Sequence, residues 1–154
     1  ALARGVEVFI VLSNPNASAG GLSRLEAQYA NGWTPADIGR RIQGIMEKTA
    51  GMPKGAALRA LLCDKLHLTT LSDGGASTWP TGVPFASHDK TMSVDEQAFY
   101  IGSQNMYPAG LQEFGYLVDD SRATATYLAH DWDVLWSNSE GAAVSGAGAP
   151  TCAL

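Results

Sequence analysis

The sequence predicts an α/β fold in which a mixed β-sheet carries helices on both faces. Three observations predict it. Strand-like and helical runs interleave without a fixed repeat, the helical runs carry recognisable start and stop signals, and 45% hydrophobic residues over 154 positions can fill one core but not two ordinary domains. The expectation is a single domain over residues 1–154, ending in a flexible tail at about 138–154.

The elements follow in order. Ala1-Leu2-Ala3-Arg4-Gly5 reads as the last turn of a helix, with Gly5 suited to the left-handed position after it, so the chain is expected either to begin in mid-fold or to carry an ordinary processed N-terminus. Val6 to Leu12 is a strand, Ser13-Asn14-Pro15-Asn16 a turn, and Ala17 to Asn31 a long loop around Gly20-Gly21. Thr34-Pro35 opens a helix whose Ile38, Ile42, Ile45 and Met46 keep helical spacing until Gly51. A short helix over Ala56 to Leu62 leads into a strand from Leu66 to Leu71, where His67 falls on the more polar phase and is expected at the surface or an edge. Ser72 to Pro84 is a loop; His88 to Val94 and Ala98 to Ser103 form a hairpin joined by Asp95-Glu96-Gln97. Phe114 to Val118 is a further strand, before a helix from about Arg122 to Trp136, capped near Asp120 or Ser121, on which His130 is a surface residue.

Charge narrows the function classes. Fifteen acidic against ten basic residues leave a formal charge of -5, which disfavours a nucleic-acid binder, and the hydrophobic content disfavours disorder. No apolar run approaches the ~20 residues of a membrane-spanning helix and no leader opens the sequence, so a soluble chain with any signal peptide already removed is expected. Cys63 and Cys152 lack zinc-site spacing. They are either two buried thiols or one disulfide; a cysteine next to the small-residue stretch Gly141 to Pro150 favours the bridge, and hence secretion.

The chemistry concentrates in the hairpin. His88, Lys90, Asp95, Gly102, Ser103 and Asn105 form the pattern H-x-K, four residues, D, six residues, G-S-x-N. Such a pattern arises by chance in a chain this long about one time in a million. Residues two apart on a strand share a face, so His88 and Lys90 are expected to point together, with Ser103 and Asn105 approaching from the side and Gly102 letting the backbone come close to a ligand. Asp95 opens the tight turn as a structural residue. A phosphate diester suits this set: lysine and asparagine bind non-bridging oxygens, and histidine attacks phosphorus or protonates the departing alcohol. The set calls for neither metal nor cofactor. One motif supplies one histidine, whereas a two-step displacement needs a nucleophile and a separate acid, so a second motif from another polypeptide is expected.

The motif resembles that of the phospholipase D superfamily. Phe85 to Lys90, Ser93-Val94-Asp95, Phe99 to Pro108 and Leu111 to Tyr116 look like the C-terminal half of secreted actinobacterial phospholipase D, and the likeness extends to Ala3-Arg4-Gly5-Val6 and both cysteines. The resemblance implies an α-β-α sandwich forming one lobe of a two-lobed enzyme, whose lobes each give one motif to a shared site. It implies hydrolysis and transphosphatidylation of glycerophospholipids, phosphatidylcholine giving phosphatidate and choline, through a phosphohistidine. His88 would be the acid/base, Lys90 and Asn105 the phosphate binders, Ser103 a support, and Glu113 the carboxylate that orients the imidazole. The family more often has Asp at that position. Leu22 stands after Gly20-Gly21 where a tyrosine commonly helps recognise choline.

The implied partners are a phospholipid at a membrane or micelle surface and the complementary half carrying the other motif, with no nucleic acid. Trp79, with Pro80 and Val83, and Tyr107, with Met106, Pro108 and Leu111, are candidates for acyl-chain contact or for packing against the complementary half. Two other readings are a homodimeric nuclease-like phosphodiesterase, whose symmetry would supply both motifs, and an inactive scaffold half.

Overall fold

Leu66, His67, Leu68 and Thr69 are buried in succession, which makes the strand they form the centre of the first of two compact units. The structure, a computed structural model, describes residues 1–17, 33–103 and 112–154. Unit one comprises Ala1–Ser87 and Ser137–Leu154, and unit two His88–Trp136. Most of the expected loop from Ala17 to Asn31, with Leu22, lies outside the described residues, as do Asn105 and Tyr107.

In unit one a 3-10 turn, Leu2–Arg4, is closed by Gly5 at φ 79°. Strand β1 (Val8–Leu12) pairs in parallel with β2 (Leu66–Thr70), Val8 opposite Leu66 and Leu12 opposite Thr70. Parallel neighbours need a long crossover. The chain between them contains α1 (Pro35–Lys48) and α2 (Gly55–Lys65). Thr34 caps α1 reciprocally: its hydroxyl accepts the Asp37 N–H at 3.2 Å, and the Asp37 carboxylate accepts the Thr34 N–H at 2.9 Å. The Thr34 hydroxyl and N–H, with Arg40 at 2.6 Å, hold the Asp37 carboxyl below its ordinary value. The core is Leu58 and Leu62 of α2, Leu66 and Leu68 of β2, and Leu154; Ile10, Ile38, Ile42 and Met46 pack against it, while Ile45 turns outward.

The segment expected to be a flexible tail is anchored repeatedly. Thr69 donates its hydroxyl to the Ser139 carbonyl at 2.7 Å, and the Ser72 N–H reaches the Ser139 hydroxyl at 3.2 Å. Val144 N–H donates to the Leu68 carbonyl at 2.9 Å, and Leu68 N–H to the Ser145 carbonyl at 3.4 Å. Arg59 donates to the carbonyl of Cys152, which forms a disulfide with Cys63. Leu154 is buried against α1, where Gly39 leaves room for its side chain. The bridge and this run of bonds do what the small side chains of the segment cannot do by burial alone.

Unit two is a three-stranded antiparallel sheet, β3 (Thr91–Val94), β4 (Ala98–Gly102) and β5 (Gly115–Asp119). Asp120 follows it and caps α3 (Ser121–Tyr127), its carboxylate accepting from Arg122 and Ala123 N–H at 2.9 and 3.0 Å. One face of the sheet carries Phe99 stacked on Tyr127, ring centroids 4.8 Å apart. A π turn, Leu128–Trp132, joins α3 to α4 (Asp133–Ser139), so the long helix read from the sequence is interrupted; His130 is exposed in that turn.

The mixed α/β class holds, the described strands pairing in parallel in unit one and antiparallel in unit two. At Leu68 the edge of β2 away from β1 is taken by Val144 and Ser145, where another strand would pair. His67 is not at the surface: it is 4% exposed, because β2 is buried on both faces and the alternation that suggested a wet phase does not apply.

The disulfide spans 89 residues of sequence. Loop-closure entropy then predicts that reduction lowers the unfolding free energy by up to about 4–5 kcal/mol. Urea unfolding with and without a thiol reductant measures it.

Candidate active site

Of the motif residues, His88, Lys90, Gly102 and Ser103 lie at one end of the β3–β4–β5 sheet, and register explains how. Thr91 pairs with Ile101 and Val94 with Ala98, so the hairpin closes through Asp95 and Glu96, whose φ values are 51° and 57°. Gln97 N–H donates to the Val94 carbonyl at 3.0 Å. Two consecutive left-handed residues make a turn whose twist matches the strands, and aspartate tolerates that region better than most side chains. Asp95 therefore lies at the hairpin turn, at the far end of β3 from His88 and Lys90.

Strand β3 begins at Thr91, three residues later than the sequence suggests. His88 and Lys90 precede it, so the same-face argument does not relate them. What relates them is a hydrogen bond, Lys90 Nζ donating to the His88 carbonyl at 2.6 Å. The Lys90 carbonyl in turn accepts the Gly102 N–H at 3.2 Å and extends the pairing one step past the strand. His88 is exposed and Lys90 half-buried, with the Lys90 ammonium tethered to the His88 backbone.

Ser103 is a clamp. Its N–H donates to the Phe114 carbonyl at 2.9 Å, and its hydroxyl accepts the Phe114 N–H at 3.1 Å while lying 3.3 Å from the same carbonyl. These bonds hold together the two ends of the segment that contains Asn105 and Tyr107, both outside the described residues. Glu113 is half-buried one residue before the clamp.

Gly102 has a different use from the one expected. It pairs with Gly115, and the Tyr100 ring lies where Cβ atoms of both would be; a Cβ on Gly102 would also come 2.7 Å from the Phe114 carbonyl. The missing side chains make room for a phenol and a close strand. Sequence reading overlooked Tyr100, although Tyr100-Ile101-Gly102 facing Gly115 is the signature of an aromatic laid across a glycine pair. It also overlooked Tyr127. Burial raises the pKa of its phenol, a hydrogen bond from Thr91 works against that, and the charges of Asp131 and Asp89 add to it.

Trp79 lies in unit one, in a tight loop: its N–H donates to the Val83 carbonyl at 2.8 Å, its carbonyl accepts the Gly82 N–H at 2.8 Å, and its ring meets Phe85 edge to face at 4.6 Å. The indole is 56% exposed and Val83 57%. Among the described residues no group of three or more His, Cys, Asp or Glu is placed to hold a metal ion, and no helix is long and apolar enough to cross a membrane.

Substituting Gly115 by alanine is expected to displace Tyr100 and cost about 1–3 kcal/mol. Ser103→Ala, which removes the side-chain half of the clamp, is expected to cost about 1 kcal/mol. Thermal denaturation of each variant measures both.

Comparison with known proteins places this geometry in context. No model of a protein family matches the chain. It is similar to phospholipase D of Streptomyces antibioticus, 38% identical over 153 residues, which is 97% of this chain and 26% of that protein. The chain thus spans about a quarter of the relative's length, less than the half expected from the resemblance.

Proposed function

We propose that this chain supplies one catalytic lobe of a two-lobed phospholipase D, hydrolysing glycerophospholipids and transferring their phosphatidyl group to alcohols. The observation that carries the reading is the H-x-K and G-S-x-N pattern, whose His88, Lys90, Gly102 and Ser103 meet at one end of a single sheet, in a chain 38% identical over nearly its whole length to a phospholipase D.

The chemistry follows from the residues. A histidine of the complementary motif attacks phosphorus and the bond to the headgroup oxygen breaks. The His88 imidazolium gives its proton to that oxygen, so that phosphatidylcholine releases choline and leaves a phosphohistidine. Neutral His88 then takes a proton from water or an alcohol, whose oxygen attacks phosphorus and frees the first histidine; water gives phosphatidate and an alcohol gives a transphosphatidylation product. Lys90 neutralises charge on the non-bridging oxygens and Asn105 donates hydrogen bonds to them, Ser103 holds the segment that carries Asn105, and Glu113 orients the imidazole. No metal or cofactor enters these steps.

The Cys63–Cys152 bridge supports an oxidising, extracellular setting. Lipid contact is assigned to Trp79, whose indole is exposed, and to Tyr107 and Leu22. A net charge of -5 fits a lipid substrate better than a nucleic-acid backbone.

Mutation tests the roles. With the complementary motif present, His88→Ala is expected to abolish both choline release and transfer to an added alcohol, assayed on phosphatidylcholine micelles; full turnover in that variant overturns the assignment. Glu113→Ala is expected to lower kcat by about 10–100-fold while leaving micelle binding unchanged.

A further inference from the structure

One anchor of the C-terminal segment falls on a titratable group. His67 is 4% exposed, its ring lies parallel to that of Phe9 with centroids 4.0 Å apart, and its Nδ1 accepts the Ala147 N–H at 2.7 Å. Gly146, at φ +75°, passes so close that a Cβ there would overlap Nδ1 and come 2.9 Å from the His67 Cα. The ring is thus held between Phe9 and the backbone of residues 146–147.

This arrangement requires a neutral imidazole. Nδ1 accepts a hydrogen bond only while it carries no proton; protonation sets two N–H groups against each other in a space with no room to turn aside. Among the described residues the charged groups around the ring are Glu7, just before β1, and Asp64 and Lys65 at the end of α2, with Lys65 3.4 Å from Glu7 and 3.3 Å from Asp64. Residues 141–154 bring no ionisable side chain apart from the bridged Cys152. The two carboxylates favour the charged ring and Lys65 opposes it. Burial is the largest influence, and it holds His67 below the ordinary histidine value.

We propose that His67 and the Gly146–Ala147 backbone form an acid-released latch for the C-terminal strap. Above about pH 6.5, the ordinary histidine value, the ring is neutral whether the strap is docked or released, and the latch is at full strength. As pH falls from there through the lowered docked-state value, the released state takes up a proton that the docked state refuses. Docking then weakens by up to about tenfold per pH unit. The disulfide is untouched by acid, so Cys152 stays tethered while residues 143–151 open.

The test is amide hydrogen exchange of the oxidised chain followed residue by residue by NMR, corrected for intrinsic exchange, from about pH 7.5 to about pH 4.5. Ala147 protection is expected to fall at least about tenfold over this range while that of Ile42 in α1 is unchanged. In His67→Asn the side-chain oxygen can stand where Nδ1 stood but does not titrate; protection at the upper pH is kept and the acid-dependent fall disappears. Constant protection in the wild type, or a parallel fall in the variant, overturns the latch. Should the variant fail to fold, titration of the wild-type His67 ring decides. A midpoint coincident with the loss of Ala147 protection upholds the proposal, and ring titration without that loss overturns it.

Discussion

A strand buried on both faces must satisfy every backbone polar group without water, and in unit one that constraint falls on Leu66–Thr70. β1 meets it along one edge and the Val144–Ser145 backbone meets it at Leu68 on the other. The rest of the unit follows from it. The two helices between the strands bury the leucines and isoleucines that flank β2, and the last residues of the chain must return across the sequence to close the edge. A histidine at the second position of such a strand has no wet side to face, so its ring stacks on Phe9 and takes a backbone amide for a partner.

Unit two rests on register. Once Asp95 and Glu96 close the hairpin, Gly102 necessarily stands beside Lys90 on one side and Gly115 on the other. Tyr100 covers the glycine pair, and Ser103 ties the end of β4 to the start of β5. The motif residues outside the strands are thus carried on short segments whose ends are fixed by main-chain bonds, the support that a constellation of small polar groups needs to keep its geometry.

How much of this was legible depended on range. Signals confined to a few neighbouring residues were readable: the Thr34-Pro35 helix start, Gly5 after its turn, the Asp120 cap and the hairpin around Asp95. The motif was readable too, because its spacing is linear in sequence. Burial of His67 was not, since strand alternation reports one wet face only when a strand has one, and what removes it here is a segment some eighty positions away. Gly102 was misread for the same reason: whether space over a glycine serves a ligand or a side chain depends on Gly115 and Tyr100. The tail looked loose because its side chains are small and rich in glycine and alanine, and its anchoring lies in bonds that composition does not record.

Unit one is made of two stretches of chain with the whole of unit two between them, and this sets an order of events during synthesis. The β3–β4 hairpin pairs neighbours in sequence and can close on the order of microseconds after its residues emerge. The edge of β2 must wait for Val144 and Ser145, and the thiol of Cys63 waits still longer for Cys152. The bridge forms only once Cys63 and Cys152 have met across 89 residues of sequence. A nascent chain stalled before residue 144 therefore leaves both the β2 edge and the Cys63 thiol without their partners at once, and an open strand edge favours association with another copy.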